Sequence, residues 1–320
     1  IHFIGIFFFF HFRLKKNSKF YKKIFYISIC LIPILLISKT HDDFSFYHYP
    51  FTKFLTEHHI IFGMGNINTG YNFISSLFFL NSSFYLPFIN LYSFHFTIIS
   101  FLLFFNYFLL VKIFSSRTHE FFKYFYLLTF IFFNLSFNRL AEFGMDKGGQ
   151  LLIVILIISL FEMIIKKNNK KKIDNILLLI PLFGLCISTK TYFLTYLILG
   201  LSVFIINRNY LKNFIYLVFS KPFLSFVLIL TFTFTHHFIS TGCLISPLPI
   251  LCFDQSVIWA RDINDVKELS IWVEQWSKAG ASPTYVLDEG EEYIKNFNWV
   301  FNWIEKYFFI KFLDQIAILG

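Results

Sequence analysis

Apolar residues in this chain gather into long runs, with the polar residues collected between them. Eight runs stand out, at residues 1–12, 24–38, 91–111, 121–137, 151–165, 176–188, 191–206 and 223–240, and a ninth opens near Phe308. A helix crosses a hydrocarbon core of about 30 Å with roughly 17 to 25 residues, and several runs approach that length. Strands cannot satisfy their backbone groups alone in lipid, so the runs predict helices. The expected fold class is all-α: a polytopic transmembrane protein of about eight spans over residues 1–240, the first truncated.

The polar segments carry elements of their own. In the segment 39–90, residues 44–61 place apolar side chains at helical spacing, broken by Thr52, Lys53, Thr56, Glu57, His58 and His59. That pattern predicts an amphipathic helix lying along the membrane surface. Gly63-Met64-Gly65-Asn66 ends it, Gly70-Tyr71-Asn72 forms another turn, and the apolar stretch 77–86 is too short to span and reads as re-entrant or interfacial. Further on, residues 241–307 read as an outward loop and cap. Charges there interleave with Trp259, Trp272 and Trp276, helical periodicity runs over 265–278, and residues 279–283 end it. Residues 308–320 read as the start of a further span, and a chain that opens on Ile1 inside an apolar run reads as a fragment.

Composition supports a membrane protein. Aromatic residues make up 22% of the 320 positions, largely through 50 Phe, and 15% are charged, which excludes an ordinary soluble domain. The Phe, Ile, Lys and Asn richness also suits an AT-rich genome, so aromatic clusters carry no functional weight here. The net charge of +9 raises nucleic acid as a partner, but the position of the charges argues otherwise. Segments 13–23, 112–123, 166–172 and 208–221 hold 17 of the 28 Lys and Arg. Basic residues mark cytoplasmic loops, so these four face inward and segments 39–90, 136–150 and 240–307 face outward. Membrane lipid is the expected partner, and nucleic acid is not.

The candidate chemistry therefore lies on the outer face. Asp42 and Asp43 follow the run 24–38 directly, with Tyr47 and His48 one or two helical turns on. A carboxylate beside a low-dielectric slab is disfavoured when ionised, which suits an acid or base, and a phenol and imidazole can converge with it. The plainer reading is a solvated helix end. Asp146 stands in a second glycine-containing outer turn that also holds Arg139, and it serves equally as a cap for the helix that follows. Lys190 lies between the short runs 176–188 and 191–206, at the tip of a partial hairpin where it reaches a carboxylate or a phosphate, or snorkels to the interface. Cys243 and Cys252 share a short proline-rich outer loop, read as a structural disulfide with two free thiols as the alternative. Cys30 and Cys186 fall within runs and read as small apolar residues.

Several classes are absent by motif. The chain has no H-x-x-x-H or C-x-x-C spacing, no G-x-S-x-G elbow and no Walker loop, and its G-x-G lacks a third glycine. Zinc proteases, serine hydrolases, ATPases and dinucleotide-binding folds are set aside accordingly.

A first span, then an outer Asp42-Asp43 with Tyr47-His48, a long amphipathic outer loop, paired short spans and a second outer acidic turn resemble the C-type membrane glycosyltransferases, the GT-C fold. The sequence is closer still to a bacterial family of polytopic membrane proteins whose outer loops are similar to residues 241–247 and 251–254. The resemblance covers roughly residues 24–276. It implies a polyprenyl-phosphate sugar as donor and a cell-envelope enzyme in the bacterial inner membrane, with its long loops on the periplasmic side. Asp43 or Asp42 would be the general base or a ligand to a divalent cation, with Asp146 as the second acid. His48 and Tyr47 would position the acceptor, and Lys190 or Arg139 would steady the phosphate. A transporter or flippase and a surface-polysaccharide polymerase are the alternatives. Charges on one face, rather than at mid-span, favour the transferase over a carrier.

This topology predicts that reporter fusions after Asp43 and after Lys170 will report opposite compartments. Fusions reporting the same compartment would overturn the orientation.

Overall fold

A computed structural model describes residues 18–37, 39, 41–116, 118–135, 141–165, 172–206, 214–253, 256–282, 285–287, 289–309 and 312–313. They are mostly helical. The principal helices are α1 (Ser18–Leu31), α2 (Tyr49–Glu57), α3 (Ser76–Ser83), α4 (His95–Ile113), α5 (Glu120–Leu135), α6 (Met145–Ile165), α7 (Lys172–Thr189), α8 (Leu197–Ile206), α9 (Lys221–Thr241) and α10 (Ile263–Ser277). The strands among the described residues are two residues each, Ala281–Ser282 pairing antiparallel with Tyr285–Val286.

Among the described residues, three helical stretches are long and apolar enough to cross a membrane: Asn90–Ile113, Met145–Ile165 and Lys221–Thr241. The expected runs 91–111, 151–165 and 223–240 lie inside them. Run 176–188 lies inside α7 and run 121–137 is helical over its described part, whereas runs 24–38 and 191–206 are interrupted, for local reasons. Pro33 has no N–H for a continuing helix, so the chain past α1 restarts as the single turn Pro33–Leu36. Thr191–Tyr196 winds as a tighter 3₁₀ turn before α8 begins. Run 1–12 lies outside the described residues.

The amphipathic stretch begins as a five-residue π turn, Phe44–His48, and continues as α2 to Glu57, so it is shorter than residues 44–61. The apolar stretch 77–86 folds as the short helix α3 with Leu77 and Phe78 buried. In the cap, α10 starts on the Asp262 carboxylate, which accepts the Asn264 N–H, and ends as Ala279 takes a left-handed conformation, φ 64°.

The chain divides into two compact units: Ile1–Thr52 with Leu77–Lys166, and Lys53–Ser76 with Lys167–Gly320. In the first, α6 is buried over most of its circumference, as a helix apolar on all sides must be. Its neighbours join through a few polar links. Asn106 of α4 and Asn134 of α5 exchange amide hydrogen bonds of 2.9 and 2.8 Å. The Glu162 carboxylate of α6 accepts from Lys112 Nζ of α4 at 2.7 and 2.6 Å and from Tyr126 Oη of α5 at 2.7 Å. Each such link contributes roughly 0.5–1.5 kcal/mol, and more where a partner is charged.

In the second unit α9 packs along α7, closely enough that a Cβ on Gly184 would lie 3.1 Å from the Phe226 ring. The outer segment wraps the far end of α9. Gly63 N–H donates to Ile239 O at 2.9 Å, and Ser240 Oγ donates to Tyr71 O at 3.2 Å. Gly242 then closes the helix in a left-handed conformation, φ 74°, its N–H donating to Phe238 O. The chain beyond folds back on itself: Phe253 N–H donates to Gly242 O, Leu244 N–H donates to Leu251 O, and Cys243 and Cys252 are joined in a disulfide.

Gly242 is required twice, for its backbone and for its space. A Cβ there would sit 2.3 Å from Ala260 Cβ and 2.6 Å from its Cα. Gly242→Ala should destabilise the protein by roughly 2–4 kcal/mol, combining left-handed strain with overpacking. Gly200→Ala in α8 meets only ordinary contacts, 3.5 Å to the Phe183 ring, and should be neutral or mildly stabilising. Thermal melts of the two variants in one detergent would show this contrast or refute it.

Candidate functional site

Within the first unit, the outer turn 41–48 and the turn before α6 meet. The first turn holds itself in shape: Asp43 N–H donates to His41 Nδ1 at 3.2 Å, and Ser45 Oγ donates to Asp42 O at 3.2 Å. The wide π turn that follows carries Tyr47 and His48 inward, 7% and 4% exposed, while Asp42 stays at the surface and Asp43 half-exposed. Their rings meet edge to face at 4.4 Å, and Phe78 of α3 packs against both.

The second turn is built on Ala141, Glu142 and Phe143, all buried. Phe143 takes φ 60°, an uncommon conformation for a bulky residue, and its ring lies between Phe44 and His95 at 5.6 and 4.9 Å. That reversal offers both ends of Glu142 to the first turn. Its backbone carbonyl lies 3.0 Å from His48 Nδ1, and its Oε1 accepts the His41 N–H at 2.9 Å. A carbonyl only accepts, so the proton of neutral His48 sits on Nδ1 and Nε2 keeps its lone pair. Asp146 follows one residue inside α6, exposed, where the positive end of the helix favours a carboxylate.

The electrostatics bind these residues into one group. Burial holds the Tyr47 phenol far above its usual range, and the charges of Asp43 and then Asp146 raise it further. Burial pushes the His48 imidazole down, while Asp43, the Glu142 carbonyl and Asp146 partly oppose the shift. Lys39 is lowered by burial, against the pull of the Glu142 carboxylate. The arrangement therefore presents a neutral imidazole with one basic nitrogen, a neutral phenol able to donate, and two carboxylates from separate loops. His41 and Asp43 stand as a loose pair, Nδ1 to Oδ2 3.6 Å, with both side chains substantially exposed.

Asp43, Tyr47 and His48 thus lie on one turn, tied through Glu142 to the turn that leads into Asp146. The carboxylates whose charges reach Tyr47 and His48 are Asp43 and Asp146, and His41 adds a charge that lowers His48 further. Lys190, half-buried at the start of the 3₁₀ turn 191–196, belongs to the second unit, as do Cys243 and Cys252. Arg139 lies outside the described residues. From sequence, Glu142 and Lys39 carried no role, and His41 stood beside Asp42 in the polar stretch without one. Glu142 offered one signal, a carboxylate set between Ala141 and Phe143, too apolar a setting for a solvated acid. His95, at the start of α4 with Nδ1 against Tyr92 O, is fully buried beside the site.

A divalent cation fits poorly. Among the described residues no three of His, Cys, Asp and Glu converge to hold a metal ion. Asp43 and Asp146 alone fall short of the ligand count that such ions take from protein.

The family model described as "Domain of unknown function (DUF8201)" matches residues 2–320. No curated protein and no solved structure matches the chain.

The lowered His48 value fixes the sign of a pH effect. The unfolded chain binds a proton below about pH 6.5 that the folded site resists, so stability is full above that pH and falls as acid is added. The expected contribution is at most about 1.4 kcal/mol per pH unit for one proton. His48→Asn keeps a donor for the Glu142 carbonyl and removes the titration. Melting curves from pH 8 to 5 should fall less steeply for this variant than for the wild type; parallel curves would remove His48 as the cause.

Proposed function

The chain belongs, over residues 2–320, to the DUF8201 family, a domain of unknown function; on that premise we propose from its site that it is a membrane glycosyltransferase with a GT-C-like architecture. It takes a sugar from a polyprenyl-phosphate donor and transfers it to an acceptor hydroxyl at the outer face of the bacterial inner membrane. One observation supports this reading: the His48 Nδ1–Glu142 carbonyl contact of 3.0 Å and the His41 N–H–Glu142 Oε1 bond of 2.9 Å tie the turn that carries Asp43 to the turn that leads into Asp146, so two carboxylates come from two joined loops.

A lipid-linked sugar phosphate presents its anomeric carbon at the membrane surface, and the acceptor hydroxyl is a poor nucleophile until its proton is taken. In this mechanism the Asp43 carboxylate, with Asp42 beside it, receives that proton as the acceptor oxygen bonds to the anomeric carbon. The bond from that carbon to the phosphate oxygen breaks in the same displacement, so the configuration inverts and polyprenyl phosphate leaves. His48 Nε2 accepts from a neighbouring sugar hydroxyl, and the Tyr47 phenol donates to another; both are positioning groups. Asp146 holds the polarity of the pocket. Arg139, in the same segment of chain as Asp146, takes the role of phosphate partner, on the order of motifs along the chain.

The test is transfer from undecaprenyl-phosphate-linked glucose or mannose, each tritiated, by protein in proteoliposomes. Asp43→Asn should lower transfer by about 10²–10⁴-fold with its melting temperature unchanged, and His48→Asn should cost less. Full activity in Asp43→Asn would remove that carboxylate from the reaction.

A further inference from the structure

We propose that the first unit binds one anionic glycerophospholipid between α1 and α4, at their basic ends, away from the acidic turns. This rests on the membrane reading and is independent of the transferase reading. A cavity of about 350 Å³ opens there, lined by Lys23, Tyr26 and Ile27 of α1 and by Tyr107, Leu110 and Val111 of α4. The walls are mostly apolar and suit an acyl chain. The rim is different in kind.

Lys22 and Lys23 are both exposed at this end of α1, and among the described residues no carboxylate pairs with either. The nearest cation along α4, Lys112, is already held by Glu162 at 2.6 Å. Tyr26, 65% exposed, adds a phenol beside Lys23. A slot for a hydrocarbon tail with the Lys23 cation and the Tyr26 hydroxyl in its lining, and Lys22 exposed next along α1, matches a phosphate head group that carries net negative charge. A zwitterionic lipid would bring its own ammonium to the lysines and lose most of that gain. A helix from a second copy fits worse. Close helix contacts in lipid favour small residues, whereas this slot is walled by Tyr, Leu, Ile and Val, and two such faces would set lysines against lysines.

The experiment uses the intact chain in nanodiscs of equal phosphatidylglycerol and phosphatidylcholine, with retained lipids read by native mass spectrometry after release. The wild type should keep one phosphatidylglycerol over phosphatidylcholine by about fivefold or more, the ratio expected for one lysine–head-group contact. The double substitution Lys22→Gln with Lys23→Gln should bring the ratio to that of the bulk. Val111→Trp, at a position 42% exposed, fills the slot and should release both lipids while the melting temperature holds. Asp43→Asn, which tests the transferase, should leave lipid retention unchanged. Bulk-ratio retention by the wild type, an unaltered ratio in the double variant, or a lipid-free dimer that Val111→Trp dissociates would each overturn the proposal.

Discussion

The contact between the His48 ring and the Glu142 carbonyl makes one site out of two loops. It is a single hydrogen bond of 3.0 Å, but it fixes three things together. It sets the tautomer of the imidazole, it holds the π turn against the second turn, and it puts the Asp43 and Asp146 charges within reach of the same buried phenol. The Glu142 side chain repeats the tie through the His41 N–H, so both ends of this residue hold the first turn. Phe143, forced to a positive φ, is the local cost of that arrangement, offset by its ring packing between Phe44 and His95.

The same rule, that a polar group in an apolar setting must find a partner, organises the helices below. Asn106 and Asn134 satisfy each other, and Glu162 gathers a lysine and a phenol. Association among helices apolar on all sides gains little from hydrophobicity when lipid is the alternative, so these few links decide which faces meet. Lys22 and Lys23 are the contrast: exposed cations with which no carboxylate among the described residues pairs.

The second unit solves a different problem, how to end a long apolar helix beside polar chain. Gly63, Gly65 and Gly242 let backbone approach backbone around the last turn of α9, where a Cβ on Gly65 would come within 2.9 Å of Thr241 Cγ2. The disulfide at Cys243 and Cys252 then closes the reversal into a small fixed loop. This collar orders the outer segment and the cap without a large apolar core.

How much of this was legible follows from which forces act locally. Runs of apolar residues determine helices wherever backbone must bond to itself, so the helical fold and the three long stretches were readable from pattern alone. The conjunction of Asp43, Tyr47 and His48 was readable too, because six residues of chain carry all three. The meeting with Asp146, and the part played by Glu142, was decided by tertiary structure: a left-handed backbone at Phe143 and a carbonyl contact leave no trace in composition or periodicity. Where Pro33 and the 3₁₀ turn at residues 191–196 shorten the expected spans, local chemistry overrode hydropathy, which counts apolar residues but is blind to a missing N–H. Sequence fixes which residues must avoid water; only the folded chain decides which of them face one another.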